Sequence, residues 1–112
     1  MAQIHSLNEE QSLLQRLQSS DTALRNAAFR EFVQTHSQRV YALAYKLSGN
    51  SDDADDLTQE VFVRAVEALR QFSGTSSLAT WLHRITLNLH IDFTRSGRYR
   101  YSAAWDDARD ND

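Results

Sequence analysis

Asp52-Asp53-Ala54-Asp55-Asp56-Leu57-Thr58-Gln59-Glu60-Val61-Phe62-Val63-Arg64-Ala65-Val66-Glu67-Ala68-Leu69-Arg70-Gln71-Phe72 is the stretch on which the fold turns. Leu57, Val61, Ala65, Leu69 and Phe72 recur at three- and four-residue intervals, the period of one helical face. The acids crowd the first turns, where the helix dipole is positive, and Ser51 stands ahead of them as the expected cap. An acid at a helix start contributes about 0.3 to 1 kcal/mol, which accounts for one or two of them. Asp52, Asp53, Asp55, Asp56 and Glu60 together repel one another, so the same face also predicts a basic partner.

Downstream, the polar break Ser73-Gly74-Thr75-Ser76-Ser77 precedes a fourth helix over about Leu78 to Ser96, with Gly97 as its stop. Its core stripe is Leu78, Leu82, Ile85, Leu89 and Phe93. At 100° per residue, Ser77, Thr80, Arg84, Asn88, Ile91, Arg95 and Arg98 gather on the opposite side, and Trp81 falls on the border. Such a face is most often simply solvated. Four arginines without a lysine from residue 73 to 100 tilt the reading toward phosphate, which the guanidinium fork binds bidentately. The amide and hydroxyls beside them suit contacts to bases.

Upstream, Ser19-Ser20-Asp21 breaks the chain and recaps a second helix starting near Thr22. Its stripe runs through Leu24, Ala28, Phe32, Val40, Leu43 and Leu47, broadened by Phe29, Val33 and Ala44, to a stop at Gly49-Asn50. Ser6-Leu7-Asn8-Glu9 fits a capping box, which predicts a short first helix over about 7 to 18 with Leu7, Leu13, Leu14 and Leu17 as its apolar residues.

The chain has 112 residues, no proline, three glycines and no cysteine. That length makes one domain burying roughly two thirds of its unfolded surface. The fold class is all-α: a compact bundle of about four helices, one short and three longer. Disulfides, thiolate metal sites and thiol catalysis are excluded. His83 and His90 share a helical side without a cysteine or ordered carboxylate nearby, and no nucleophile–base order or phosphate-cradling loop occurs, so no metal, cofactor or enzymatic activity is expected. No leader pattern and no apolar run of roughly 18 residues appears, which predicts a cytoplasmic protein without membrane insertion. The net charge of −3 conceals polarity: residues 51–60 sum to −5, 73–100 to +3 and 101–112 to −3. Residues 101–112 read as an acidic linker or tail.

Read together, Asp55-Asp56-Leu57-Thr58-Gln59-Glu60-Val61-Phe62-Val63-Arg64-Ala65, Phe72-Ser73-Gly74 and Leu78-Ala79-Thr80-Trp81-Leu82-His83-Arg84-Ile85-Thr86-Leu87-Asn88 resemble region 2 of bacterial RNA polymerase sigma factors, most closely the extracytoplasmic-function (ECF) group. The resemblance covers roughly residues 21 to 100 and implies a region 2 domain over 1–100. It implies that the third helix docks on the clamp helices of the polymerase β′ subunit through Asp53, Asp56, Gln59, Glu60 and Val63. It further implies that the loop and fourth helix recognise and open the promoter −10 element, holding the non-template strand. In that picture Gly74, Thr75, Ser76 and Ser77 shape a pocket, Thr80 and Asn88 face the bases, Trp81 anchors the helix near the fork, and Arg84, Arg95, Arg98 and Arg100 contact phosphates.

An anti-sigma partner is implied by the same analogy. The chain departs from the family at Leu87, where a basic residue is frequent, and at His83, where tyrosine is common. Complete ECF factors also continue into a helix-turn-helix, so the expectation is an excised domain or an unusually short factor. The rival reading is a helical protein-interaction domain, an adaptor or regulator that binds no DNA.

Overall fold

Side chains that satisfy orphaned backbone groups set the helix boundaries of this chain. The computed structural model describes the backbone of residues 2–100 and the side chains of residues 9–100; the acidic segment 101–112 lies outside the described residues. Among the described residues four helices occur in order: α1 (Ala2–Leu17), α2 (Thr22–Ser48), α3 (Ser51–Ala68), continued by a 3₁₀ turn (Leu69–Gln71), and α4 (Leu78–Ser96). No strand occurs among the described residues, and the all-α bundle expected from the sequence is the fold.

Asp21 caps α2, its Oδ1 accepting from Leu24 N at 3.2 Å. Two other caps differ from expectation. The α1 helix begins at Ala2, so Ser6 lies within it and does not start it. Asn50, not Ser51, caps α3: Asn50 Oδ1 accepts from Asp53 N at 2.8 Å, and Ser51 is already helical. An amide does this as well as a hydroxyl, and Gly49, in the left-handed conformation that closes α2, delivers the chain directly to Asn50.

Helix α2 is the spine and packs against α1, α3 and α4. Phe32 is buried at its centre, with its ring 5.8 Å from Phe29, 5.9 Å and edge-on to Phe62, and 5.0 Å from the His36 ring. Burial lowers the His36 pKa, against the carboxylate of Glu10, which raises it. The predicted stripes hold at Ala28, Phe32, Val40, Leu57, Val61, Ala65, Leu69, Leu78, Leu82, Leu89 and Phe93, all buried. Leu24, expected on the stripe, is instead 43 % exposed in the first turn of α2. Leu43, Leu47, Phe72 and Ile85 are half-buried, while Thr86 is fully buried. Its hydroxyl donates back to Leu82 O at 2.8 Å, which removes the cost of burying it. Ala54, Phe62 and Tyr99 complete the core.

Helix α1 is tied on by polar as well as apolar groups. The Glu10 carboxylate accepts from Leu78 N at the start of α4. Gln18 Nε2 donates to Leu69 O at 2.9 Å and to Phe72 O at 3.0 Å, satisfying carbonyls at the end of α3. Between these, the Leu14 side chain lies 3.9 Å from the place a Cβ would occupy on Gly74. Residues 10, 14 and 18 form one helical row, and that row backs the loop joining α3 to α4.

Candidate functional site

The exposed side of α3 carries Asp52, Asp55, Gln59 and Val63 in the open, with Asp56 and Glu60 half-buried beside them. Positions 52, 56, 59, 60 and 63 share one side of a helix. Val63 and Val66 are both exposed apolar residues, at 52 % and 46 %, so the acidic side runs into an apolar patch one turn on. Val66 is absent from the face expected from the sequence, which ends at Val63; only its helical spacing, three residues further, signals it. Asp53 is the correction on this face. It is 2 % exposed, Oδ1 accepting from Arg100 N at 2.9 Å and Oδ2 from Asn50 Nδ2 at 2.8 Å. A carboxylate enclosed in this way braces the fold and is not offered to a partner.

The outer face of α4 keeps its expected residues in solvent: Thr80, Arg84, Asn88, Ile91 and Arg95 are all exposed, as are Ser77 at its cap and the Arg100 side chain beyond its end. Arg84 and Arg95 stand about 16 Å apart along the axis at 1.5 Å per residue, with Asn88 and Ile91 between them. This is a ledge of alternating cation, amide and alkyl groups. It offers guanidinium charge, an amide that can donate and accept, and apolar surface, the kinds of group that suit binding to a single strand.

The loop arrives at this ledge in a fixed shape. Ser77 Oγ accepts from Thr80 N at 3.1 Å and donates to Thr80 Oγ1 at 2.9 Å, so both hydroxyls take part in the α4 cap. Ser73 and Thr75 hydroxyls lie 3.4 Å apart, and Ser76 Oγ donates to Ser77 O at 3.2 Å. Gly74 adopts φ +79°, the left-handed conformation other residues resist. Trp81 is half-buried, its ring 4.9 Å from that of Phe72. Trp81 therefore locks the loop to α4 with one face and borders the ledge with its remainder.

The acidic and basic surfaces meet at the end of α4. Gly97, at φ +70°, closes the helix: its N–H and that of Arg98 return to Thr94 O and Phe93 O, and the chain turns toward α3. Arg98 then lies 4.1 Å over the Phe93 ring, with Nε 3.4 Å from Asp56 Oδ2 and one terminal nitrogen 3.7 Å from Glu60 Oε2. Tyr99 is buried against Phe93, its hydroxyl 2.8 Å from His90 Nδ1. Burial first, and then the carboxylates of Asp53 and Asp56, push the Tyr99 pKa well up, so the phenol stays neutral. Arg98, expected on the ledge, is thus directed at the acidic face. With His90 engaged by Tyr99 and His83 exposed, the two histidines do not converge, and no group of three potential metal ligands occurs among the described residues.

The described residues form a helical bundle that presents an acidic helix face beside an arginine-bearing helix. The chain belongs to the Sigma-70 region 2 family, whose model matches residues 32–101. It is 47 % identical over 78 residues to the ECF RNA polymerase sigma factor SigE of Mycolicibacterium smegmatis, covering 69 % of this chain and 30 % of that protein. It is 36 % identical over 74 residues to the ECF RNA polymerase sigma factor SigW of Bacillus subtilis, covering 66 % and 40 %. Similarity to the RNA polymerase sigma-H factor of Pseudomonas aeruginosa is 32 % over 80 residues, covering 71 % and 39 %. The chain therefore spans less than half the length of these relatives. Helix α1, with its row of loop contacts, lies outside the family match. No helix among the described residues is long and apolar enough to cross a membrane.

Proposed function

We propose that this domain directs RNA polymerase to promoters, docking on the core enzyme through α3 and recognising and opening the −10 element with α4 and the loop before it. Asp56, Gln59, Glu60 and Val63, extended by Val66, meet the β′ clamp helices. Asp53 is left out because its carboxylate is engaged internally. Asn88 contacts an unpaired base of the non-template strand, Arg84, Arg95 and Arg100 neutralise phosphates, and the loop over Gly74, Thr75, Ser76 and Ser77 borders the base. The single observation that carries this reading is the exposure of Asn88 between Arg84 and Arg95 on α4, within a chain of the Sigma-70 region 2 family.

Pulling a base from the stack costs a few kcal/mol, and each base stacked on protein returns about 1 to 3 kcal/mol. The balance is close to zero for a ledge this short, so the polymerase supplies the rest by positioning the strand. A regulator of the anti-sigma kind would act by covering the same two faces.

The test is binding of single-stranded −10-type oligonucleotides and scrambled controls at low salt. Asn88→Ala is expected to cost about 1 to 3 kcal/mol for the preferred strand only. Equal loss on every oligonucleotide would reduce the ledge to non-specific attraction. Asp56→Lys with Glu60→Lys is expected to abolish association with core polymerase while oligonucleotide binding persists. Joint loss of both activities in a folded variant would contradict two separate surfaces.

A further inference from the structure

Arg98 stands where the two proposed interfaces adjoin, and its side chain contacts the acidic one. It succeeds the arginine-bearing helix in the chain, yet its guanidinium lies against Asp56 and Glu60, the two carboxylates at the centre of the acidic face. Its position is imposed from three sides. The left-handed Gly97 turns the chain, Arg98 N–H returns to Phe93 O at 2.9 Å, and the next two residues are held by burial of Tyr99 and by the Arg100 N–H donating to Asp53. The side chain is stacked on Phe93 and set beside the acids by a pinned backbone, so little conformational freedom is lost in forming the contact.

We infer that Arg98 is an internal occupant of the polymerase-docking face, displaced when a basic partner takes Asp56 and Glu60 and then free to join the DNA ledge. This coupling rests on the proposed function and links its two surfaces. The contacts favour exchange over permanence. At 3.4 and 3.7 Å they are long, and the Arg98, Asp56 and Glu60 side chains are 44 %, 46 % and 27 % exposed. Exposed pairs of this kind are weak, so a partner presenting several cations in a desolvated interface outcompetes one arginine. Linkage then runs both ways: the contact that must open for docking reduces affinity for polymerase, and docking adds one cation to the ledge.

Arg98→Met keeps an alkyl stem on Phe93 and removes the charge. It is expected to tighten binding to bacterial core polymerase about two- to fivefold, the range that corresponds to an exposed ion pair. In an Asp56→Asn, Glu60→Gln background the same substitution is expected to change nothing. Arg39→Met, on α2, alters net charge equally and is expected to leave core affinity where it was, which separates a local competitor from a general charge effect. The second arm measures a −10-type single strand. Arg98→Met is expected to weaken its binding by the polymerase-bound domain while leaving binding by the free domain within twofold.

Thermal unfolding of each variant checks the fold, and Arg98→Lys, retaining charge without the planar fork, is expected to fall between. Unchanged or weaker core binding by Arg98→Met, with the Asp56→Lys, Glu60→Lys variant still abolishing it, overturns the coupling and leaves the docking reading intact. Wild-type core binding that ignores charge reversal at Asp56 and Glu60 overturns both.

Discussion

Asp52, Asp53, Asp55 and Asp56 carry the same group within five residues, and the backbone gives each a different task. Asp52 and Asp55 face solvent, Asp56 lies beside Arg98, and Asp53 turns inward to join Asn50 and the Arg100 N–H. Removing the Asp53 carboxylate takes the acceptor from two part-buried donors, Asn50 Nδ2 and the Arg100 N–H, with a cost of about 1 to 3 kcal/mol for each left unsatisfied. Asp53→Ala is therefore expected to destabilise the domain by about 2 to 4 kcal/mol, read as a lower urea midpoint with an unchanged slope. Asp52→Ala, exposed in the first turn of α3, loses only its interaction with the helix dipole and is expected to destabilise by about 0.3 to 1 kcal/mol. Loss of equal size in the two variants would contradict the division of roles. The resemblance to sigma region 2 implies a docking role for Asp53 along with Asp56, and charge counting, which treats these aspartates alike, does not set it apart. Spacing carries the better signal: Asp53 is four residues before Leu57, on the stripe that continues through Val61 and Ala65. Asn88 illustrates the opposite case, because its place four residues after Arg84 puts it on the outer face, where the structure has it.

At the scale of the element, α4 is legible from the sequence from Leu78 to Ser96 with Gly97 as its stop, and the structure adds Ser77 as the cap. Both ends depend on local chemistry, and local chemistry is what a sequence displays. The segment from Arg98 to Arg100 is not legible in this way. The buried Tyr99, the Arg98 contacts and the Asp53–Arg100 bond join residues 38 to 47 positions apart or depend on the angle at which the chain leaves the helix. The supports under the loop before α4 are hidden for the same reason: Glu10 and Gln18 reach Leu78, Leu69 and Phe72 across half the chain. Gly97→Ala tests whether the turn governs the closing segment. A left-handed residue with a Cβ costs about 1 to 2 kcal/mol, and no neighbouring atom lies within 4 Å of the added carbon, so strain and not collision is the expected source. Urea unfolding should show that loss. Amide exchange at Arg98 and Arg100 should accelerate beyond the global change, since their backbone bonds depend on the turn. A uniform change in exchange would make the closing segment independent of Gly97.

The whole molecule carries net charge −3, yet its proposed ligand is a polyanion. Binding is reconciled with that sign by segregation: the acids of α3 stand on one side, the arginines of α4 on another, and Arg98 neutralises part of the acidic face at their junction. Salt dependence reads this arrangement directly, because each phosphate neutralised on a single strand contributes about −0.7 to the slope of log K against log salt. With Arg98 held by Asp56 and Glu60, the free domain offers Arg84, Arg95 and Arg100, and its slope should be about −2.1 for three contacts. Four contacts, with Arg98 released, would bring it to about −2.8. A titration between 50 and 200 mM salt, roughly the range over which counterion release dominates, distinguishes the two, and Arg98→Met should leave the free domain's slope unchanged. The slope should also be equal for preferred and scrambled strands, since phosphates carry no sequence, while Asn88→Ala changes their affinity ratio without changing it. A slope near zero would remove the arginines from recognition and leave α4 an ordinary solvated helix.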